Sequence, residues 1–179
     1  MHGDGLLFDP PPAPCEAFPL PEADGLATAA PGLGLCIKTA DCQPILLAHK
    51  DGAYIMALHA GWRGNRCDFP RSAVGRFCER YRLRPQDLLA VRGPSLGPGR
   101  AEFVRFDTEW GPDWKAWLDE RSRTMDLWSL TRHQLAQAGL LPRHIHGLDW
   151  CTAENADLFY SYRRARVTGR QANLIWMVP

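Results

Sequence analysis

Cys42 and His59 are the side chains of this sequence best placed to do chemistry together. Cys42 stands in Thr39-Ala40-Asp41-Cys42-Gln43-Pro44, just ahead of the apolar run Ile45-Leu46-Leu47. His59 follows a second apolar run, Tyr54-Ile55-Met56-Ala57-Leu58, and opens His59-Ala60-Gly61-Trp62-Arg63-Gly64. Between the runs lies His49-Lys50-Asp51-Gly52, and Asp-Gly between two strands is a hairpin signal. An antiparallel hairpin brings the start of its first strand beside the end of its second, which makes Cys42 and His59 neighbours. A thiol beside an imidazole is either half of a metal site or a Cys/His nucleophile pair. Each residue alone has a plainer reading. Free cysteine is among the most buried residue types, and a histidine at a strand end commonly bonds backbone only.

Other segments have to position that pair. Residues 33–38, 45–49 and 53–59 read as short strands bounded by turn residues. Asp68-Phe69-Pro70 opens a helix, since Asp68 is a capping type and proline is tolerated in the first turn. Val74, Phe77, Cys78 and Tyr81 give that helix one apolar face, and Pro85 closes the region. Residues 88–92 form a strand that feeds a Gly-Pro turn at 93–99. A strand is expected at 102–106 and a tryptophan-rich helix at 109–118. Residues 126–138 are amphipathic, stopped by Gly139 and Pro142. Strands are expected again at 145–150 and 172–178, and the proline-rich stretch 9–21 reads as a surface loop. Strands and helices mixed without strict alternation define an α+β fold rather than a doubly wound one.

Composition narrows the function classes. The chain has 179 residues, enough for one domain with a sizeable core. Its net charge of +1 gives no bulk field for nucleic acid or membrane, and no apolar run has the length of a membrane span. Six cysteines show no Cys-x-x-Cys pair, so reduced thiols in a cytoplasmic protein are expected, with no disulfide. Cys36 and Cys78 sit in apolar patterns and read as inert core.

Taken in order, the motifs resemble one family. They are Met1-His2-Gly3; Ala23-Asp24-Gly25-Leu26 with Pro31-Gly32-Leu33; Thr39-Ala40-Asp41-Cys42; His59-Ala60-Gly61-Trp62-Arg63-Gly64; Gly93-Pro94-Ser95-Leu96-Gly97-Pro98; and, toward the end, Cys151-Thr152, Asn155, Ser161-Tyr162-Arg163-Arg164 and Thr168-Gly169-Arg170. Together they resemble the laccase-domain family once called multicopper polyphenol oxidases, whose members are viewed as zinc-dependent purine nucleoside enzymes. The resemblance implies a layered alpha/beta sandwich with mixed sheets flanked by helices, of the cytotoxic-necrotizing-factor-like kind. It implies a zinc ion held by the residues matching His2, Cys42 and His59, with a purine nucleoside and phosphate as substrates. Phosphorolysis is the implied reaction, with adenosine deamination and methylthioadenosine phosphorolysis beside it. The family carries several tens of residues ahead of its first metal histidine, so the domain expected at 1–179 is one lacking its N-terminal segment.

The implied ligand set makes chemical sense. Three protein ligands with a fourth position open is the pattern of a catalytic zinc. The older copper reading does not fit the inventory. A four-copper oxidase needs about ten histidines and a cysteine, and this chain has six histidines, with His144 and His146 isolated. The candidate catalytic set is Cys42, His59 and Arg63, and the candidate substrate contacts are Ser161, Arg163 and Arg170. Arginine forks suit phosphate oxygens. The amides of the 93–99 turn are a second candidate anion cradle, though its prolines remove donors and a plain tight turn serves equally. The glycines of the His59–Gly64 motif are expected to let the backbone turn tightly at the site, and Trp62 is either core or a ligand contact. Two rivals stand beside the zinc enzyme. One is a metal-free Cys/His hydrolase of the amidase type, because the family shares its fold with toxins that deamidate glutamine. The other is a non-catalytic binding module.

Overall fold

The hairpin forms where the sequence predicts it. In the computed structural model, which describes residues 3–11 and 22–178, the strands are β1 (Leu6–Phe8), β2 (Gly25–Thr28), β3 (Leu35–Thr39), β4 (Gln43–His49), β5 (Ile55–Ala60), β6 (Leu88–Arg92), β7 (Leu118–Asp119), β8 (Thr124–Met125), β9 (Ile145–Gly147) and β10 (Gln171–Ile175). β4 and β5 pair antiparallel, with Pro44 opposite His59 and Gln43 opposite Ala60. Gly52 takes the left-handed φ of 75° that the connecting turn requires. The helices are α1 (Trp62–Arg66), α2 (Phe69–Tyr81), α3 (Phe106–Glu109) and α4 (Leu127–Gln137).

Six strands form one mixed sheet in the order β1-β2-β5-β4-β6-β9. The β1–β2 and β6–β9 pairs are parallel and the others antiparallel. β5 is central, and its residues alternate between two cores. Met56 and Leu58 face the cluster built with Phe69, Val74 and Phe77 of α2 and Leu135 of α4. Ile55 and Ala57 face the opposite cluster with Leu35 and Ile37 of β3. A strand covered on both faces reads as continuous hydrophobicity, which is why 55–58 shows no polar alternation. The layers are therefore a helical face, the six-stranded sheet, and an antiparallel ribbon of β3 with β10. A third cluster gathers Leu96, Phe103, Phe106, Trp110, Met125 and Leu130 beside the sheet. Among the described residues no helix is long and apolar enough to cross a membrane.

Phe69, Ala73, Val74, Phe77 and Cys78 are the buried face of α2. Phe77 is fully buried in the core, so Phe77→Ala removes a large side chain from a packed site. The expected cost is about 3–5 kcal/mol, read as a shift of the urea midpoint at unchanged slope.

Several expectations need correcting. Residues 102–106 do not form a strand. Glu102 makes one isolated bridge to Thr124, and α3 starts at Phe106, because Phe103 and Phe106 are both drawn into the third cluster. The tryptophan-rich segment is a short 3-10 turn, Pro112–Trp117. Gly111 there adopts φ 90°, and Pro112 brings no N–H to a continuing helix. The strand expected to 150 ends at Gly147. α2 stops at Arg82 in left-handed geometry, and Pro85 instead opens its own turn, Pro85–Asp87. Asp68 precedes α2 but caps nothing with its side chain, which pairs with Arg71. Cys78 is buried as expected, whereas Cys36 is exposed, on the outer face of the ribbon. The five described cysteines, Cys36, Cys42, Cys67, Cys78 and Cys151, are all free.

Candidate active site

Cys42 immediately precedes β4 and His59 sits near the end of β5. Both line one cleft of about 730 Å³, together with Arg63, Arg163 and Arg170. The start of β4 is held rigid from below. Gln43 donates to Asn65 Oδ1 at 2.9 Å, and Asn65 Nδ2 donates to Thr131 Oγ1 and Gln134 Oε1 at 2.8 Å each. This buried network bolts the cysteine loop to α1 and α4. Buried side-chain hydrogen bonds of this kind favour a single geometry, though Gln43 Oε1 itself finds no partner among the described residues.

His59 is oriented by Asp24. Its Nδ1 lies 3.2 Å from Asp24 Oδ1, and its backbone N–H donates to the Asp24 carbonyl at 2.7 Å. Asp41, beside Cys42, adopts φ 84°, a conformation rare for a residue with a side chain. Its carboxylate is fully engaged: Thr152 Oγ1 donates to Oδ1 at 2.7 Å and the Arg163 backbone N–H to Oδ2 at 2.6 Å. Asp41 thus joins the cysteine loop to the loop that carries the arginines.

The cleft wall is basic and aromatic. Lys38, Arg63, Arg105, Arg163, Arg166 and Arg170 line it, against Asp41, Glu102 and Glu109. The Arg63 guanidinium lies over the Trp62 ring at 4.3 Å, and Arg166 over Tyr162 at 4.8 Å. Trp62 packs against the third cluster, edge-on to Phe103, as the core reading expects, and it also lines the cleft.

Not every expected residue reaches the cleft. Ser161 is fully buried, and its hydroxyl accepts the Arg164 backbone N–H at 3.2 Å, so it shapes the turn and does not line the cleft. Arg164 is spent on the carbonyls of Thr152, Ala153 and Phe159 and does not line the cleft. Arg163 and Arg170 line it while also donating to the carbonyls of Glu102 and of Thr168 and Gly169, respectively. The 93–99 turn is no anion cradle. The amides of Gly93, Ser95 and Leu96 donate to Pro44, Trp150 and Asp41 carbonyls, and that of Gly97 to Cys151 Sγ. Neither motif glycine sits in a conformation reserved for glycine. Gly61 has φ −78° and ψ 174°, and a Cβ on Gly64 would meet its neighbours at an ordinary 3.8 Å. His2 lies outside the described residues. Among the described residues no three His, Cys, Asp or Glu side chains converge as a metal cage; of the three ligands the resemblance implies, Cys42 and His59 line the cleft. Asp24, Asp41, Phe103 and Arg105 are the site residues that sequence reasoning missed.

Burial pushes the Cys42 thiol up to about 11, and the Asp41 carboxylate adds to the rise while Arg170 opposes it. Metal-free Cys42 is then held as the thiol at neutral pH. Alkylation of Cys42 by iodoacetamide in chelator-treated protein is expected to be slow at pH 7 and to climb about tenfold per pH unit toward pH 10. Peptide mass spectrometry follows it, and rapid labelling at pH 7 would contradict this environment.

A mixed, layered α/β scaffold with a cysteine–histidine pair at one edge of its central hairpin, facing an arginine-lined cleft, defines a class of protein. Residues 2–178 match the family described as multi-copper polyphenol oxidoreductase laccase, and the chain belongs to that family. It is 31% identical over 172 residues to the purine nucleoside phosphorylase YfiH of Escherichia coli (strain K12), covering 91% of this chain and 67% of that protein. It is 36% identical over 170 residues to the purine nucleoside phosphorylase of Xylella fastidiosa (strain 9a5c), covering 88% of this chain and 62% of that one. The crystal structure of YlmD from Geobacillus stearothermophilus superposes with a TM-score of 0.80 at 29% identity, covering 89% of this chain and 63% of that chain. That of the hypothetical protein YfiH from Bacillus licheniformis gives 0.72 at 27%, covering 87% and 61%. The chain therefore spans about two thirds of the length of the relatives it matches.

Proposed function

We propose that this chain is a zinc-dependent purine nucleoside phosphorylase. The observation that carries the reading is one cleft holding a thiol, an imidazole already oriented by a carboxylate, and a cluster of guanidinium groups beside aromatic faces. Two relatives named purine nucleoside phosphorylase support it. The donors fit zinc: a sulfur and a ring nitrogen are its usual ligands, and a histidine ligand ordinarily donates its other N–H to a carboxylate. Cys42 and His59, with His2 by resemblance, would hold the ion, which supplies a Lewis acid with an open position.

The chain's own residues account for the rest. In phosphorolysis a phosphate oxygen bonds to the anomeric carbon of the ribose as the bond to the purine nitrogen breaks. The base leaves with the electron pair and takes up a proton. Arg63, Arg163 and Arg170 bind the phosphate oxygens and neutralise their charge, which favours approach of one anion to the sugar. Trp62, Phe103 and Tyr162 offer faces for the purine ring. Adenosine deamination and methylthioadenosine phosphorolysis are proposed as companion activities of the same cleft. We also assign the sandwich to the cytotoxic-necrotizing-factor-like fold, residues 1–179 to one domain, and the protein to the cytoplasm, where its thiols stay reduced.

The metal-free hydrolase is the second reading: Cys42 would be its nucleophile, His59 the base that takes the thiol proton and Asp24 the group that orients the base. Adenosine incubated with zinc and phosphate tests the proposal. Adenine and ribose 1-phosphate are expected, inosine marks deamination, and an absence of both products with glutamine deamidation in their place would favour the hydrolase.

A further inference from the structure

We infer that Asp24 is a positioning residue that couples two parts of the proposed metal site: its carboxylate sets the His59 ring and tethers the backbone next to His2. The inference rests on the zinc reading of the cleft. Asp24 is only 8% exposed and immediately precedes β2. One carboxylate oxygen lies 3.2 Å from His59 Nδ1. The other accepts the Gly3 backbone N–H at 2.7 Å. The approach at Gly3 is close, since a Cβ there would stand 3.3 Å from that oxygen. The main chain of Asp24 is pinned as well: its N–H donates to the Gly5 carbonyl at 2.9 Å, and its carbonyl accepts the His59 N–H at 2.7 Å.

Two consequences follow from the chemistry of these groups. An ionised carboxylate only accepts hydrogen bonds, so the proton of a neutral His59 belongs on Nδ1 and the lone pair on Nε2, the nitrogen then suited to a metal. The carboxylate is also buried without a lysine or arginine partner among the described residues. A buried negative charge of that kind is costly unless positive charge reaches it, and a divalent ion held by His59 would supply that charge. The second oxygen extends the same carboxylate to Gly3, so one side chain fixes an orientation in β5 and a backbone position adjacent to the first expected ligand.

The test compares wild type, Asp24→Ala, Asp24→Asn and Cys42→Ser. Asparagine keeps an acceptor for His59 but turns an amide N–H toward Gly3, whereas alanine removes both contacts. The His59 tautomer is read in metal-free protein by long-range proton–nitrogen NMR, and zinc affinity by competition with a chromogenic chelator. Wild type, Asp24→Asn and Cys42→Ser are expected to show the Nδ1–H form, and Asp24→Ala a shift toward Nε2–H. Zinc affinity is expected to fall about 10–100-fold in Asp24→Ala, less in Asp24→Asn, and furthest in Cys42→Ser with its tautomer unchanged. If Asp24→Ala fails to fold, wild type and Asp24→Asn still give the tautomer and the effect of losing the Gly3 tether. An Nε2–H wild type, or Asp24 variants that match wild-type zinc affinity, overturns the clamp and leaves the zinc reading standing. A wild-type protein that takes up no zinc overturns that reading and, with it, the metal role of Asp24.

Discussion

Replacement of Cys42 by serine is expected to abolish zinc retention and purine release together. Serine preserves size and polarity, so the loop held by Gln43, Asn65, Thr131 and Gln134 stays in place. A hydroxyl, however, does not deprotonate to serve zinc as a thiolate does. Loss of one of the three proposed protein ligands is expected to exceed the 10–100-fold typical of an outer partner, so zinc affinity should fall by about a hundredfold or more. Turnover should fall in proportion to occupancy. Equilibrium dialysis of the two proteins, run beside a phosphorolysis assay, checks both numbers. Full turnover in zinc-depleted Cys42→Ser protein would contradict the assignment of Cys42.

The second large effect is expected at Asp41. Its carboxylate accepts from Thr152 and from the Arg163 backbone, and hydrogen bonds to a charged group contribute about 1.5–3 kcal/mol each. Its φ of 84° costs about 1–3 kcal/mol for a residue with a side chain. Asp41→Gly removes both bonds, about 3–6 kcal/mol together, and relieves about 1–3 kcal/mol of strain, so a net loss of a few kcal/mol of stability is expected. The loop bearing Arg163 also loses its tether to the cysteine loop. The expected result is a phosphate KM raised about tenfold or more with a smaller change in kcat, the pattern of lost substrate binding. Asp41→Asn, which keeps one acceptor and tolerates left-handed geometry, should fall between. A glycine variant with unchanged phosphate KM and lowered stability would show that Asp41 acts only on the fold.

What was legible in the sequence follows from the range of the interactions concerned. The hairpin carries its own turn in Asp51-Gly52, and α4 carries its own ends, with Asp126 accepting from the Ser129 N–H and Gly139 at φ 98°. Such signals are local. β1 and β2 have three and four residues and no alternation of their own; β2 exists because β5 offers an edge to pair with, and β1 because β2 does. The 102–118 region misleads because its aromatic residues answer to a tertiary cluster rather than to a helical period. At the site, Cys42 and His59 were visible through the hairpin that joins them. Asp24 and Asp41 were not, since a loop carboxylate has no periodicity. The partners of Asp24 lie 21 and 35 residues away, and those of Asp41 111 and 122. Ser161 was misplaced for the same reason, and the choice between tight turn and anion cradle at 93–99 stayed open: their polar groups are satisfied internally, which spacing does not reveal.

The central claim, zinc-dependent phosphorolysis in the Cys42–His59 cleft, is tested most directly by refilling metal-stripped protein. Purine release from inosine is measured while zinc is added stepwise at saturating phosphate, and again without phosphate. Activity is expected to rise linearly, to break near one zinc per chain, and to vanish when phosphate is omitted. Purine release that is equally fast in the stripped protein, or independent of phosphate, would contradict it.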